Sequence, residues 1–304
     1  MSIFRALHTL NAVEAGALTS VALESMLADP ARYSEWQTLS TMQGQIDRMW
    51  GSDITIDAIL GSGRALRAMA SVRGKHFYDA EYLRFLSPNA WAVLLPDTQD
   101  ITIAAAGGIS GWANALGDPA KDFVNGTVAS QPIPDIANSP IYGQPVVNFV
   151  SSDTLTSTGV PSASGAPYTI FFVYRRAAAA ASGYMSGTNV NIGFGNSAAG
   201  DATAMNSVLG TFNNSAGAVG AWAMSRFRRS GVNLFHSLNG GAESAPLTSA
   251  TNIPELITAQ TLGRGVGSVM TGQMAEVWIV AGNSDAASVE IQRITTMLKN
   301  KYGL

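Results

Sequence analysis

The chain has 304 residues, 46% of them hydrophobic and only 13% charged, with a net charge of −3 and no cysteine. Charge this sparse, against ~25% in an average domain, with Gly, Ala, Ser, Thr and Asn in its place, fits a β-rich, externally exposed protein better than a cytosolic enzyme. The small net charge excludes a general attraction to nucleic acid or to an anionic membrane, and the absence of cysteine excludes disulfides, thiol catalysis and cysteine-held zinc.

The length leaves room for about two domains. The N-terminus does not read as a signal peptide, because Arg5, His8, Glu14 and Glu24 interrupt any apolar core. The longest apolar runs, such as 169–173 and 177–181, are far too short to cross a bilayer. Residues 1–75 are helical by pattern and carry a ten-residue repeat. Trp36, Ile46, Ile56 and Leu66 hold one position of it, and Leu39, Met49, Ile59 and Met69 hold the position three residues later. Each unit amounts to about two helical turns with an apolar i, i+3 pair, then a break of small residues such as Gly51-Ser52 or Gly61-Ser62. Helices this short are unstable alone in water. They stack on one another as a small helical body, or they dock on a partner as an anchor.

Residues 73–76 mark a boundary, and 76–99 form a joint. Its aromatic stretch 77–95 reads as a first strand pair or as a segment packed between the two parts. Residues 101–104 begin a β body. From 108 to 140 the chain is loop-rich, and Pro132, Pro134 and Pro140 argue against central-strand pairing. Strong strands follow at 146–150 and 168–174, rich in β-branched and aromatic residues. Shorter candidates lie at 190–194 and 207–212. Residues 218–228, a turn at 229–231, and 232–238 read as a hairpin, and Asn239-Gly240 reads as a tight turn because both residues tolerate positive φ. Strands of this length and spacing predict an all-β sandwich.

The chain closes with GQMAEVWIV at 272–280, a polar break at 282–284 and a helix from about 285 to 302. Alternation puts Met274, Glu276, Trp278 and Val280 on one strand face and Ala275, Val277 and Ile279 on the other. Both faces are largely apolar, which predicts a central strand buried on two sides. Ser284 or Asp285 is placed to cap the helix. Ile291, Ile294, Leu298 and Tyr302 recur at helical spacing, and Lys299, Lys301 and Gly303 close the last turn.

This C-terminal pattern resembles that of laminin-G-like (concanavalin A-like) jelly-roll domains, which are frequent in bacteriophage virion proteins and bacterial surface proteins. Further segments resemble the family in the same order: GGISGWAN at 107–114, ASQP at 129–132, GQPVVNF at 143–149, SDTL at 152–155 and YTIFFVY at 168–174. The resemblance covers roughly residues 100–304. It implies a mainly β antiparallel jelly-roll sandwich with a C-terminal helix, at 76–304, behind a small helical region. The repeats at 1–75 are similar to tandem short-helix repeats of phage virion proteins. The resemblance therefore implies a virion protein, a fibre, spike or decoration, made in the host cytoplasm. Residues 1–75 would contact other virion proteins, and the sandwich would face a host-surface glycan. Oligomerisation as a trimer or ring is expected of such an appendage, with no bound nucleic acid and no membrane insertion.

Candidate chemistry is sparse. His8, His76 and His236 lie far apart and form no metal-ligand spacing. His236 alternates with Val232, Leu234 and Leu238, as a hydrogen-bonded core histidine would. Glycoside hydrolysis needs two carboxylates flanking the scissile bond. Glu276 stands alone on its strand, as a structural carboxylate would, and Asp153 with nearby Ser and Thr is too little for calcium. No cofactor, metal or catalytic residue is expected, and the sequence predicts a non-enzymatic protein. A polysaccharide-degrading enzyme and a decoration protein without a ligand are the alternatives. Arg226, Arg228 and Arg229 form the densest basic cluster, with Arg175 and Arg176 behind it; they read as a solvated hairpin end, or as contacts to phosphate or an acidic glycan. Loops 187–200 and 226–231 are where a sugar would be held, with Trp222, Arg226, Arg228, Arg229, Asn191 and Asn196 as the candidate contacts.

Overall fold

The structure is a computed structural model that describes the chain from Leu83 to Leu304, apart from residues 85, 97–99, 141–143, 151, 158, 162, 188–191, 198–200, 207–210, 249–255 and 266–267. The repeat positions Trp36, Leu39, Ile46, Met49, Ile56, Ile59, Leu66 and Met69 lie outside the described residues, as does Asn191.

The described residues form an antiparallel jelly-roll sandwich with one C-terminal helix. The first sheet runs β15 (Leu247–Thr248), β14 (Asn233–Leu238), β13 (Trp222–Ser230), β8 (Tyr168–Arg176), β19 (Gly272–Ala281), β6 (Val146–Phe149) and β5 (Ile133–Asp135). An eighth strand, β1 (Ala90–Leu94), pairs with Val277 to Val280 of β19, while β6 pairs with Gly272 to Met274 on the same edge. Part of the stretch read as a joint is therefore a strand of the sandwich. The second sheet runs β12 (Thr211–Ser215), β11 (Asp201–Asn206), β10 (Ile192–Asn196), β9 (Ser182–Gly187), β16 (Gln260–Leu262), β7 (Leu155–Ser157), β4 (Phe123–Val124), β3 (Ile109–Trp112) and β2 (Ile101–Ile103). A two-stranded ribbon, β17 (Arg264–Gly265) with β18 (Ser268–Val269), lies against β9 and β10. Pro134 is tolerated because β5 is an edge strand, where a missing N–H breaks no ladder.

Alternation builds the core. Tyr168, Ile170, Phe172 and Tyr174 of β8 point inward, joined by Phe227 of β13, Tyr184 of β9 and Phe194 of β10. The rings meet tilted or edge-on, with centroids 4.3 Å apart for Tyr174–Tyr184 and 5.0 Å for Phe194–Phe227, geometries that suit the aromatic quadrupole. β19 departs from simple alternation. Its ladder to β8 slips between Met274 and Glu276, so Ala275 is an extra residue. The bulge turns Met274 inward beside Val277 and Ile279 and leaves Glu276, Trp278 and Val280 on the other face. Met274 thus sits opposite to the face that strict period-2 reading assigns it.

The hairpin turn lies at Gly231 and Val232, two residues later than the sequence suggests, because Ser230 still pairs with Asn233. Gly231 has φ 58, and the turn at Asn239 and Gly240 has φ 50 and 67, as expected for Asn-Gly. The terminal helix α1 spans Val289–Tyr302. Its cap is Ser288, whose side chain accepts from the Ile291 N–H, rather than Ser284 or Asp285; Asp285 instead accepts from the Ala287 N–H. Gly303 ends the helix in the left-handed conformation, with φ 66. Glu290 ties the helix start to both flanking turns through Ser87, Asn89 and Asn283. Burial pushes its carboxyl upward, but these hydrogen bonds outweigh it and hold the group below the usual range.

Candidate functional site

Two buried constellations account for residues that looked chemical in sequence. Glu276 is fully buried beneath α1. Its Oε1 accepts from the Trp278 indole at 2.6 Å, and its Oε2 accepts from Lys301 Nζ at 2.6 Å and the Tyr302 hydroxyl at 2.7 Å. It is a structural carboxylate that locks the end of the helix onto the sheet. His236 is also fully buried, with Nε2 2.9 Å from Ser225 Oγ, itself 2.9 Å from the Tyr174 hydroxyl. The Tyr174 hydroxyl donates to the Ala216 carbonyl at 2.6 Å. A carbonyl only accepts, so the proton order runs from His236 Nε2–H through Ser225 to Tyr174. Burial, and then the Arg226 charge, lower the His236 pKa to about 3, so the ring is neutral.

The basic cluster is not a solvated hairpin end. Arg226 and Arg228 are buried on the outer face of the first sheet. Glu243 accepts from Arg226 Nη2 at 3.0 Å, and from Arg228 Nε at 2.8 Å and Nη2 at 2.5 Å, while Arg228 Nη1 donates to the Ser284 carbonyl at 2.6 Å. The Arg228 guanidinium also lies 4.0 Å from the centre of the Phe235 ring. Burial pushes the Glu243 carboxyl up, but the two arginines outweigh it and hold it below the usual range. Arg229 donates to the Gly231 carbonyl at 3.2 Å across its own turn. Asn196 is buried as well. Its amide donates to the carbonyls of Ala180 and Ser197, and its oxygen accepts from the Tyr184 hydroxyl. Asp153 closes its own turn by accepting from the Val150 N–H at 2.8 Å, and burial raises its pKa. Among the described residues, no three His, Asp or Glu side chains are grouped to hold a metal ion.

One sequence candidate, Trp222, stands elsewhere. α1 covers the outer face of the first sheet up to Glu276 and ends there. Beyond it, one register row crosses the sheet: Trp222 of β13 pairs with Arg175 of β8, which pairs with Gln273 of β19, which pairs with Asn148 of β6, which pairs with Ile133 of β5. Trp222, Arg175 and Asn148 are half-exposed. The polar groups are held in place. Arg175 Nε donates to the Gly220 carbonyl at 2.8 Å, and its Nη1 donates to Asn138 Oδ1 at 3.1 Å. Gln273 Nε2 donates to Asp135 Oδ2 at 3.3 Å. Asp135 also accepts from the Asn138 N–H at 3.0 Å and from its amide at 2.9 Å. Burial pushes Asp135 up, but the bonds from Asn138 and Gln273 outweigh it, so it remains ionised. The result is an aromatic ring beside a fixed guanidinium, three amides and a carboxylate. Sequence reasoning named Arg175 only as part of the basic cluster and missed Gln273, Asn148, Asp135 and Asn138. No local signal marks them, because the row exists only once five strands are in register.

No protein-family model matches the chain, and no curated protein matches it. Among solved structures it is similar to domain 4 of AbnA, an extracellular GH43 arabinanase from Geobacillus stearothermophilus in complex with arabinotriose, at 12% identity over 67% of this chain and 98% of that one, TM-score 0.44. It is similar to Trypanosoma rangeli sialidase in complex with the inhibitor DANA, at 9% identity over 64% of this chain and 32% of that one, TM-score 0.43. It is also similar to botulinum neurotoxin type C, whose cell entry depends on two ganglioside molecules, at 10% identity over 69% of this chain and 52% of that one, TM-score 0.44.

Proposed function

We propose that this chain is a non-enzymatic virion protein whose sandwich holds a host-surface glycan on the outer face of the first sheet, with residues 1–75 docking on other virion proteins. The row from Trp222 to Asn148, rimmed by Asp135 and Asn138, carries the reading. A pyranose offers an apolar C–H face and a ring of hydroxyls. An aromatic side chain takes the first, and planar amides, guanidinium and carboxylate take the second. Because Asp135, Gln273, Asn138 and Arg175 already bond one another, little rotamer entropy is lost on binding. The sealed state of Glu276 supports the non-enzymatic side of the reading, since neither of its oxygens is open to a glycosidic bond.

The test is a glycan array probed with the full-length protein, followed by calorimetry on any glycan retained. Trp222→Ala is expected to weaken binding at least tenfold while leaving the circular dichroism spectrum unchanged. Arg175→Met is expected to weaken it by a similar factor. An array that stays blank would favour a decoration protein without a ligand, and full affinity in Trp222→Ala would remove the site from this face.

A further inference from the structure

A second constellation, independent of the outer face, closes one end of the core. The inward row of β8 continues past Tyr174 to Arg176, and the strand facing it begins at Ser182, two residues before Tyr184. The Tyr174 and Tyr184 rings lie 4.3 Å apart, the Arg176 charge acts on both phenols, and Ser182 pairs with Asn196, whose oxygen accepts from the Tyr184 hydroxyl. Arg176 is 5% exposed. Its Nη2 donates to the Gly217 carbonyl, but its Nε and Nη1 have no acceptor among the described residues, and Ser182 Oγ, also 5% exposed, has no partner among them.

A buried guanidinium without a counter-charge is costly. No carboxylate pairs with Arg176 among the described residues. The nearby phenols do not supply the charge. Their protons donate to the Ala216 carbonyl and Asn196 Oδ1, and burial raises both pKa values, so both stay neutral. The groups left over are a cation with two unsatisfied N–H donors and a hydroxyl, which is the complement of an oxyanion. The connection over this end, residues 177–181, consists of five exposed alanines.

We infer that this end of the sandwich binds a small oxyanion, a carboxylate or a phosphate, between Arg176 and Ser182. Thermal melts of the full-length protein in chloride, with potassium phosphate or acetate added at constant ionic strength, test it. A bound anion raises Tm by a constant increment for each tenfold rise in concentration above its Kd. The expected result is that response to at least one anion, acetate alone marking a carboxylate site and phosphate alone a phosphate site. Arg176→Met abolishes the response, and Ser182→Ala shifts it to several-fold higher concentration. Phosphate also stabilises proteins by exclusion from their surface, so a response retained in Arg176→Met overturns the site, as does no response to either anion. If Arg176→Met does not fold, Arg176→Lys replaces it, with at least a tenfold weaker response expected. Trp222→Ala melts like the wild type in every arm, which separates this site from the outer-face platform.

Discussion

At the scale of single residues, two buried groups make opposite electrostatic demands. Glu276 pairs with Lys301, whose side chain is 6% exposed. Glu276→Gln keeps the shape but strips Lys301 of its counter-charge, so it is expected to cost about 3–5 kcal/mol in urea unfolding. Glu276→Gln with Lys301→Met should recover most of that loss, because the pair is removed together. A double variant as unstable as the single one would mean that the hydrogen bonds to Trp278 and Tyr302, not the charge, hold the helix down. His236 makes the reverse demand, since its pocket admits only the neutral ring. Its folded pKa of about 3 lies below the ordinary 6.5. Between those values the unfolded chain takes up a proton that the folded protein refuses, so stability falls as pH drops through the window and is unaffected above it. At pH 4.5, two units below the unfolded pKa, the loss is about 3 kcal/mol. Unfolding curves at pH 7 and 4.5 should show it, and His236→Gln should flatten that dependence.

At the scale of elements, glycine positions separate two kinds of constraint. The ribbon of β17 and β18 approaches β9 so closely that a Cβ on Gly183 would lie 1.8 Å from the Gly265 nitrogen. Gly183→Ala therefore has to lift the ribbon, at about 3 kcal/mol or more. The effect should appear locally as faster amide exchange at Gly263, whose N–H bonds the Tyr184 carbonyl. Gly220 faces open space at φ 76, so Gly220→Ala carries only the left-handed penalty of about 1–2 kcal/mol. Equal losses for the two would contradict the close approach. Elements of this kind differ in how legible they are. The terminal helix, its Gly303 stop and the Asn239-Gly240 turn follow from spacing and local conformational preference, and all three are present. The bulge at Ala275 was not legible, because it depends on which neighbour β19 must match. The ion pairs of Arg226 and Arg228 were missed for a related reason. Their partner, Glu243, lies beyond the next turn, and nothing in a basic run announces a carboxylate that folds back over the sheet.

At the scale of the whole molecule, the sandwich was legible because alternation and turn chemistry recur along some two hundred residues, and each local preference agrees with the same closure. The platform was not, since Trp222, Arg175, Gln273, Asn148 and Asp135 come from five strands separated in sequence by up to about 140 residues. Its form also sets an expectation for how the full-length protein binds. On the reading proposed above, a ligand lying on an open sheet face would bury little of its surface, so one copy would hold a sugar weakly and strength would come from copies joined together. Linked sites gain roughly 10²–10⁴ in avidity when their spacing lets both engage. On surfaces of graded glycan density, the full-length protein should therefore show apparent affinity that climbs steeply once neighbouring glycans come within reach of one oligomer. Trp222→Ala should need a higher glycan density to reach the same occupancy. Sedimentation of the same preparation supplies the deciding comparison. An oligomer with a flat density response would mean that its platforms face apart, and a monomer with a steep one would place two glycan sites on a single chain.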